Sequence, residues 1–297
     1  MNYLITGASG FIGRKLVHML LSDGHSVDYL GRKRSTSLDG RAAFHCWNPG
    51  ERPPLNSVPP VDAIVHLAGE PITQRWTSEV KQRIYRSRVE GTRQLVSAIS
   101  ELRYKPAVLV TASAVGYYGN RGDEVLTEGS APGADFLAKL CVDWEREAIR
   151  AHEFGVRVVR IRIGIVLGRE GGALKQMLLP FRLGIGGRLG SGRQWMPWIH
   201  VDDLLRLFTF TASNSPIEGP LNGSSPEPVR NAEFTRCLAH ALHRPAILPL
   251  PKFALKVAVG ELADFMFSSL RIMPEATKQS GFTFTYPELG EALKVLL

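Results

Sequence analysis

Gly7, Gly10 and Gly13 recur at three-residue intervals in the run Gly7-Ala8-Ser9-Gly10-Phe11-Ile12-Gly13. The run lies directly between a β-rich stretch, Tyr3–Thr6, and an amphipathic one, Phe11–Ser22. Glycines so placed can cradle a phosphate. The first permits a tight turn, the second lets the backbone approach a pyrophosphate, and the third lets a helix pack close to its strand. The opening turn of that helix, from Phe11 and Ile12, presents free N–H groups to an anion. The predicted chemistry is dinucleotide binding by Gly7, Ser9, Gly10, Phe11, Ile12 and Gly13. A bare structural turn is the alternative.

A second signal stands about 20 residues on, where a chain that binds NAD commonly carries Asp or Glu for the adenosine ribose. Here the second strand ends Leu30-Gly31-Arg32-Lys33-Arg34, and Asp28 lies inside the strand, too early to reach a ribose. Three consecutive cations suit a 2′-phosphate, and Arg offers a planar, bidentate contact. Gly31, Arg32 and Arg34 are therefore predicted to hold the 2′-phosphate end of NADP(H), with Arg32 foremost. A solvated basic loop is the alternative.

These residues need a scaffold of alternating strands and helices. Ile12, Leu16, Met19 and Leu20 fall at helical spacing, and Gly24 ends that helix. Ser26–Leu30, Phe44–Trp47, Ala63–Leu67, Ala107–Ala112 and Val156–Ile163 read as further strands; Ser78–Leu102, Phe136–Phe154 and Val201–Ser213 read as helices. The alternation predicts an α/β fold with a doubly wound parallel sheet of the Rossmann type. After Gly164, glycines from Gly171 to Gly192 punctuate a loop-rich region. Residues 1–165 read as mainly the NADP-binding domain. Residues 166–297 read as mainly a smaller, C-terminal substrate-side lobe, with late segments crossing back onto the main sheet.

Composition narrows the function classes. A chain of 297 residues, 44% hydrophobic and 22% charged, suits a globular protein. No apolar run is long enough to cross a bilayer, and the first strand begins almost at Met1, so no signal or transit peptide is expected. Cys46, Cys141 and Cys237 are odd in number and far apart, which fits neither a disulfide framework nor a zinc pattern. They point to a reducing compartment, the cytoplasm. The eight histidines show no metal-like spacing. The net charge of +8 is scattered, with no tail and no lysine block. Neither nucleic acid nor membrane is therefore expected as a partner. A small-molecule substrate is expected, and a homodimer is left open.

The order of motifs resembles a known family. Thr6-Gly7-Ala8-Ser9-Gly10-Phe11-Ile12-Gly13, then His66-Leu67-Ala68-Gly69, then Gly91-Thr92 is similar to the extended short-chain dehydrogenase/reductases, which include nucleotide-sugar epimerases and dehydratases. Glu70-Pro71-Ile72, Arg75-Trp76, Ser87-Arg88, Gly164-Ile165-Val166-Leu167-Gly168, Met177–Gly184 and Trp198-Ile199-His200 narrow the likeness to an atypical branch, the YfcH-type epimerase family. The resemblance runs over nearly the whole chain. It implies that Leu67, Ala68 and Gly69 pass beside the dinucleotide and that Arg88 meets its phosphates or ribose. It further implies Arg83 as a weaker contact, with Ile163 and Ile165 lining the nicotinamide pocket.

The same resemblance implies a catalytic set and shows where this chain departs from it. The superfamily uses Ser or Thr for the substrate oxygen, a Tyr acid/base and a Lys four residues later. Ser113 and Lys139 match the serine and the lysine, but Asp135 stands where the tyrosine is expected. Asp135 could act as a base, and Tyr117 or Tyr118 could supply a phenol. At the substrate end, Met196 replaces the arginine that grips a diphosphate, which argues against a nucleotide-diphosphate sugar; Arg193 or Arg182 could bind another anion. Trp195 and Trp198 read as cavity-lining or as ordinary packing. His200 and Asp203 read as a structural hydrogen-bonding pair. Two readings follow. One is an NADP(H)-binding oxidoreductase or epimerase-like enzyme acting on a small hydroxyl or carbonyl compound. The other is a non-catalytic, NADP(H)-bound regulatory or cell-division-associated protein.

Overall fold

The computed structural model describes residues 1–246 and 248–297, apart from the side chain of Ala258. Its strands are β1 (Asn2–Thr6), β2 (Ser26–Gly31), β3 (Ala43–Cys46), β4 (Ala63–His66), β5 (Val108–Ala114), β6 (Val125–Leu126), β7 (Arg157–Ile163), β8 (Ile165–Gly168), β9 (Trp195–Met196), β10 (Trp198–His200), β11 (Gly219–Gly223), β12 (Val229–Arg230) and β13 (Arg271–Ile272). Its helices are α1 (Phe11–Ser22), α2 (Ser78–Ser100), α3 (Phe136–Ile149), α4 (Gly172–Arg182), α5 (Val201–Ser213), α6 (Asn231–Ala241), α7 (Lys252–Val259), α8 (Leu262–Met266), α9 (Glu275–Gln279) and α10 (Leu289–Leu296).

Seven strands form one sheet in the order β11-β7-β5-β4-β1-β2-β3, and every neighbouring pair is parallel. This is the Rossmann-like, doubly wound α/β arrangement that the alternating pattern predicts. The strand order reverses beside β1, where Thr6 is level with Leu30 on one side and with His66 on the other. A ligand crevice opens at such a reversal, outside the carboxyl ends of the strands.

Both faces of the sheet's centre are covered, so β1, β4 and β5 are almost wholly buried and largely apolar. Tyr3, Ile5, Val27, Val65, Val110 and Ile161 pack on one face with Leu16, Val17 and Leu20 of α1 and Leu204 and Phe208 of α5. Leu4, Ile64, Leu109 and Val158 pack on the other with Leu95, Val96 and Ile99 of α2. A third cluster, built on Trp198, Phe181, Phe234 and Leu293, lies among α4, α6 and α10. β11 places its residues 219–223 beside β7 in the main sheet.

One stretch differs from the sequence expectation. The glycine-rich region after Gly164 contains α4, whose Leu174, Leu178 and Phe181 are buried at helical spacing. Gly171 opens that helix and Pro180 sits within it, and both obscure a helical pattern read from residue types.

Candidate functional site

The glycine turn leaves β1 and enters α1. Gly7 has φ +72°, and a Cβ there would lie 2.6 Å from the Leu67 carbonyl, so only glycine fits. A Cβ on Gly13 would lie 2.3 Å from the Gly7 oxygen, which is the close helix-to-strand approach its position calls for. Gly10 caps α1 and donates its N–H to Gly7 at 3.0 Å, and no side chain caps the helix. The opening N–H groups of α1 are thus left without a side-chain cap, an arrangement that can receive an anion. Ser9 is exposed at the turn.

A buried hydrogen-bond chain fixes the opposite wall. Thr6 Oγ1 accepts from the N–H of Leu67 at 3.2 Å and of Ala68 at 3.1 Å, so its single proton goes to His66 Nδ1 at 2.7 Å. The other ring nitrogen, Nε2, then donates to Thr92 Oγ1 of α2 at 3.0 Å. Burial, followed by the charge of Arg88, lowers the His66 pKa to about 4 and keeps the ring neutral. This chain holds Leu67-Ala68-Gly69 against the turn.

Arg88 is packed onto Gly69, where a Cβ would lie 3.0 Å from its guanidinium carbon. It donates to the Glu70 carbonyl at 3.0 Å and lies over the Trp144 ring at 5.3 Å. Burial lowers its pKa. Arg83 is half-exposed, 3.7 Å from Glu70. Ile163 and Ile165 are half-buried at the carboxyl end of β7 and the start of β8.

At the end of β2 the cations stand clear. Arg32, Lys33 and Arg34 are exposed, Gly31 is half-buried, and no ion pair to the three cations forms among the described residues. Asp28 is occupied elsewhere, 2.6 Å from His45 Nε2. Neither a ribose-binding carboxylate nor a neutralising partner stands at this tip.

The side where the resemblance places the reaction is built differently. Ser113 is 3% exposed and donates to Glu145 Oε1 of α3 at 2.7 Å. Arg162 of β7 grips the same carboxylate with two bonds, 2.8 and 3.0 Å, and Arg160 adds a third at 3.2 Å. Arg162 also donates to the Tyr118 hydroxyl at 3.0 Å, and that hydroxyl donates to Asn222 at 2.7 Å. Burial pushes the Tyr118 phenol up to about 12. Burial opposes the Arg162 charge, but the hydrogen bonds and charge of Glu145 together with Tyr118 outweigh it, and the pKa rises. Asp135 caps α3, accepting from the Ala138 N–H at 2.9 Å. Lys139 is exposed on the same helix. Tyr117 is half-buried, with the Arg162 guanidinium 3.4 Å from its ring centroid. Of the five residues the resemblance points to, Tyr117 and Lys139 alone keep polar ends without a protein partner among the described residues.

Other expectations sort plainly. Trp198 is fully buried in the third cluster. Trp195 is half-buried, between Arg230 at 4.5 Å and Arg271 at 4.8 Å, and donates to Asp123 at 2.7 Å. His200 and Asp203 are structural, but not as a pair. His200 Nδ1 accepts from the Asp202 N–H and caps α5, while Asp203 accepts from the N–H groups of Thr285 and Tyr286. No group of His, Cys, Asp and Glu that could hold a metal occurs among the described residues. Residue types alone did not point to the Glu145–Arg162 pair. The one available sign was two arginines, Arg160 and Arg162, on one face of β7, beyond the arginine that opens it.

The fold and the turn define a Rossmann-like protein with a nucleotide-binding crevice at the carboxyl edge of its sheet. Residues 3–222 match the NAD dependent epimerase/dehydratase family, and the chain belongs to it. Residues 250–296 match a domain of unknown function, DUF1731. The chain is 42% identical to an Arabidopsis thaliana epimerase family protein, the chloroplastic SDR39U1 homolog, over all of this chain and 87% of that one. It is 38% identical to the Bacillus subtilis epimerase family protein YfhF, over all of this chain and 98% of that one. Among solved structures, human epimerase family protein SDR39U1 with NADPH superposes with a TM-score of 0.90 at 34% identity, over 100% of this chain and 99% of that one. A Bacillus cereus UDP-glucuronic acid 4-epimerase shares the fold, with a TM-score of 0.79 at 18% identity, over 100% and 98% of the two chains.

Proposed function

We propose that the protein is an NADP(H)-dependent oxidoreductase or epimerase-like enzyme acting on a small hydroxyl or carbonyl compound. The observation that carries this reading is the tip of β2, where Arg32, Lys33 and Arg34 are exposed without carboxylate partners beside a turn only glycine can form. A 2′-phosphate would neutralise that cluster. The NADPH in the human relative supports the choice of coenzyme.

The coenzyme, when bound, supplies hydride exchange. The chain's own residues do the rest. The turn Gly7–Gly13 and the open end of α1 bind the pyrophosphate. The Thr6–His66–Thr92 chain orients Leu67-Ala68-Gly69 along the dinucleotide, and Arg88 adds charge beneath it. Ile163 and Ile165 exclude water near the reacting carbon. Tyr117 and Lys139 are the groups we assign to proton handling. Ser113, with its proton committed to Glu145, fixes the floor of the site.

Titration of purified protein with NADPH and NADH, followed by coenzyme fluorescence, tests this reading. NADPH is expected to bind at least about tenfold more tightly, and Arg32→Ala to erase most of that margin. Equal affinity for both coenzymes, or no binding of either, would sink it. The commitment of Ser113 also favours a second reading, a non-catalytic NADP(H)-bound protein. Tight NADPH binding with no coenzyme oxidation across a broad carbonyl panel would select that one.

A further inference from the structure

The half-buried Arg14, one residue past the glycine turn, accepts no duty in the protein. Its guanidinium makes no hydrogen bond and no ion pair among the described residues, and its Nε is shut away from solvent without a partner. A buried donor on a charged group is costly to leave without a partner. Its neighbour Lys15 is paired, 3.5 Å from Glu170.

The geometry of α1 says which way Arg14 faces. Gly13, Leu16, Val17, Leu20 and Leu21 form the face buried against the sheet. Lys15 marks one flank, turned to Glu170 beyond β8. His18, exposed, lies between Lys15 and Arg14 around the helix. Asp39, whose carboxyl is held low chiefly by hydrogen bonds from Arg41, also feels the His18 ring. Leu38 packs into the same apolar cluster as α1. The loop after Arg32–Arg34 therefore lies along the His18 flank. Arg14 is four residues before His18, so it shares that flank one turn nearer the helix start. Helical side chains tilt toward the N-terminus, which directs Arg14 toward the mouth between the glycine turn and the tip of β2. β2 is the direct neighbour of β1, so the two sides of that mouth belong to adjacent strands.

We infer that Arg14 is a specificity-determining residue for the coenzyme, facing Arg32 across the adenosine end and closing on the 2′-phosphate from the helix side. The inference rests on the NADP(H) reading above and adds a residue that neither glycine spacing nor the β2 tip reveals. A guanidinium suits the task because its planar edge can hold two phosphate oxygens at once.

The test is a binding measurement that needs no substrate. Wild type, Arg14→Gln and Arg14→Lys are titrated with NADPH, NADH and 2′-AMP. For Arg14→Gln the NADPH Kd is expected to rise about tenfold or more, the 2′-AMP Kd to rise in parallel, and the NADH Kd to stay within about twofold. Arg14→Lys, which keeps the charge and loses the fork, should fall between. It also serves alone if Arg14→Gln does not fold. Unchanged NADPH affinity in the variants overturns the inference while leaving the coenzyme reading intact. Equal losses for NADPH and NADH overturn it too, by assigning Arg14 to the pyrophosphate or to the fold. A wild type that binds neither coenzyme brings down both.

Discussion

The two ends of the crevice are built on opposite principles. At the β1–β2 end, positive charge is left open: among the described residues Arg32, Lys33 and Arg34 lack ion-pair partners, and no side chain caps α1. At the β5–β7 end, charge is largely buried and, Arg160 Nε apart, saturated with hydrogen bonds among the described residues. Glu145 alone receives hydrogen bonds from Ser113, Arg160 and Arg162. Unpaired charge near solvent is cheap to keep and ready for an anion. Buried charge is stable only when fully matched, and once matched it has little left to offer a substrate. The difference teaches that polar residues at the carboxyl edge of this sheet divide between two duties. Those at the β1–β2 end stay open to solvent, while Ser113, Glu145 and Arg162 tie β5, β7 and α3 together.

Removing the shared carboxylate is the strongest way to break that contrast. Glu145→Ala would leave the buried Arg162 guanidinium and the half-buried Arg160 one without a counter-charge. A loss of about 3–5 kcal/mol in urea unfolding is expected, because a buried charge is left uncompensated. Arg32→Ala, at the open end, should leave stability within about 0.5 kcal/mol. Similar costs for the two variants would mean that the ends are not built differently after all.

The next effect tests the wall between them. His66 is completely buried and its pKa is lowered from 6.5 to about 4. The unfolded chain therefore takes up a proton that the folded chain refuses. The stability is intact above pH 6.5 and is lost as pH falls from there toward the folded value. By linkage, the loss between pH 6.5 and 5 is on the order of 2 kcal/mol. His200 is also shifted downward by burial and adds a slope of the same sign. Comparing wild type with His66→Gln across that range isolates the His66 share. Parallel pH profiles for the two proteins would remove His66 as the cause.

The same contrast explains what could be read from residue types. The open end was legible because its signals are local. Glycine spacing, helical periodicity and a run of cations all fall between Tyr3 and Arg34, and β1, α1 and β2 lie where that pattern puts them. The saturated end was not legible, because its partners come from distant segments. Ser113 meets Glu145 across 32 residues, and Tyr118 meets Asn222 across 104. Nothing in a strand such as Arg157–Ile163 announces which helix will bring the acid. His66 had the same problem, since its partner Thr6 lies 60 residues away. A serine at a strand end could therefore be recognised by place, while its hydrogen-bond duty could not.

The smallest effect bears on Asp135, where the superfamily's tyrosine would stand. Its carboxylate accepts from the Ala138 N–H and opens α3, which is the ordinary work of a capping residue. If that is its whole task, Asp135→Ala should cost about 1 kcal/mol in urea unfolding, while Asp135→Asn, an equally good cap, should cost a few tenths at most. Neither change should alter the NADPH Kd. A base would behave otherwise. Asparagine keeps the cap and cannot take a proton, so an Asp135→Asn protein of normal stability that lost turnover on a responsive carbonyl substrate would return the carboxylate to the reaction. It would also extend the open end of the crevice as far as the start of α3. The two substitutions, one that removes the cap and one that keeps it without a proton-accepting carboxylate, thus separate support of the helix from chemistry at the same position.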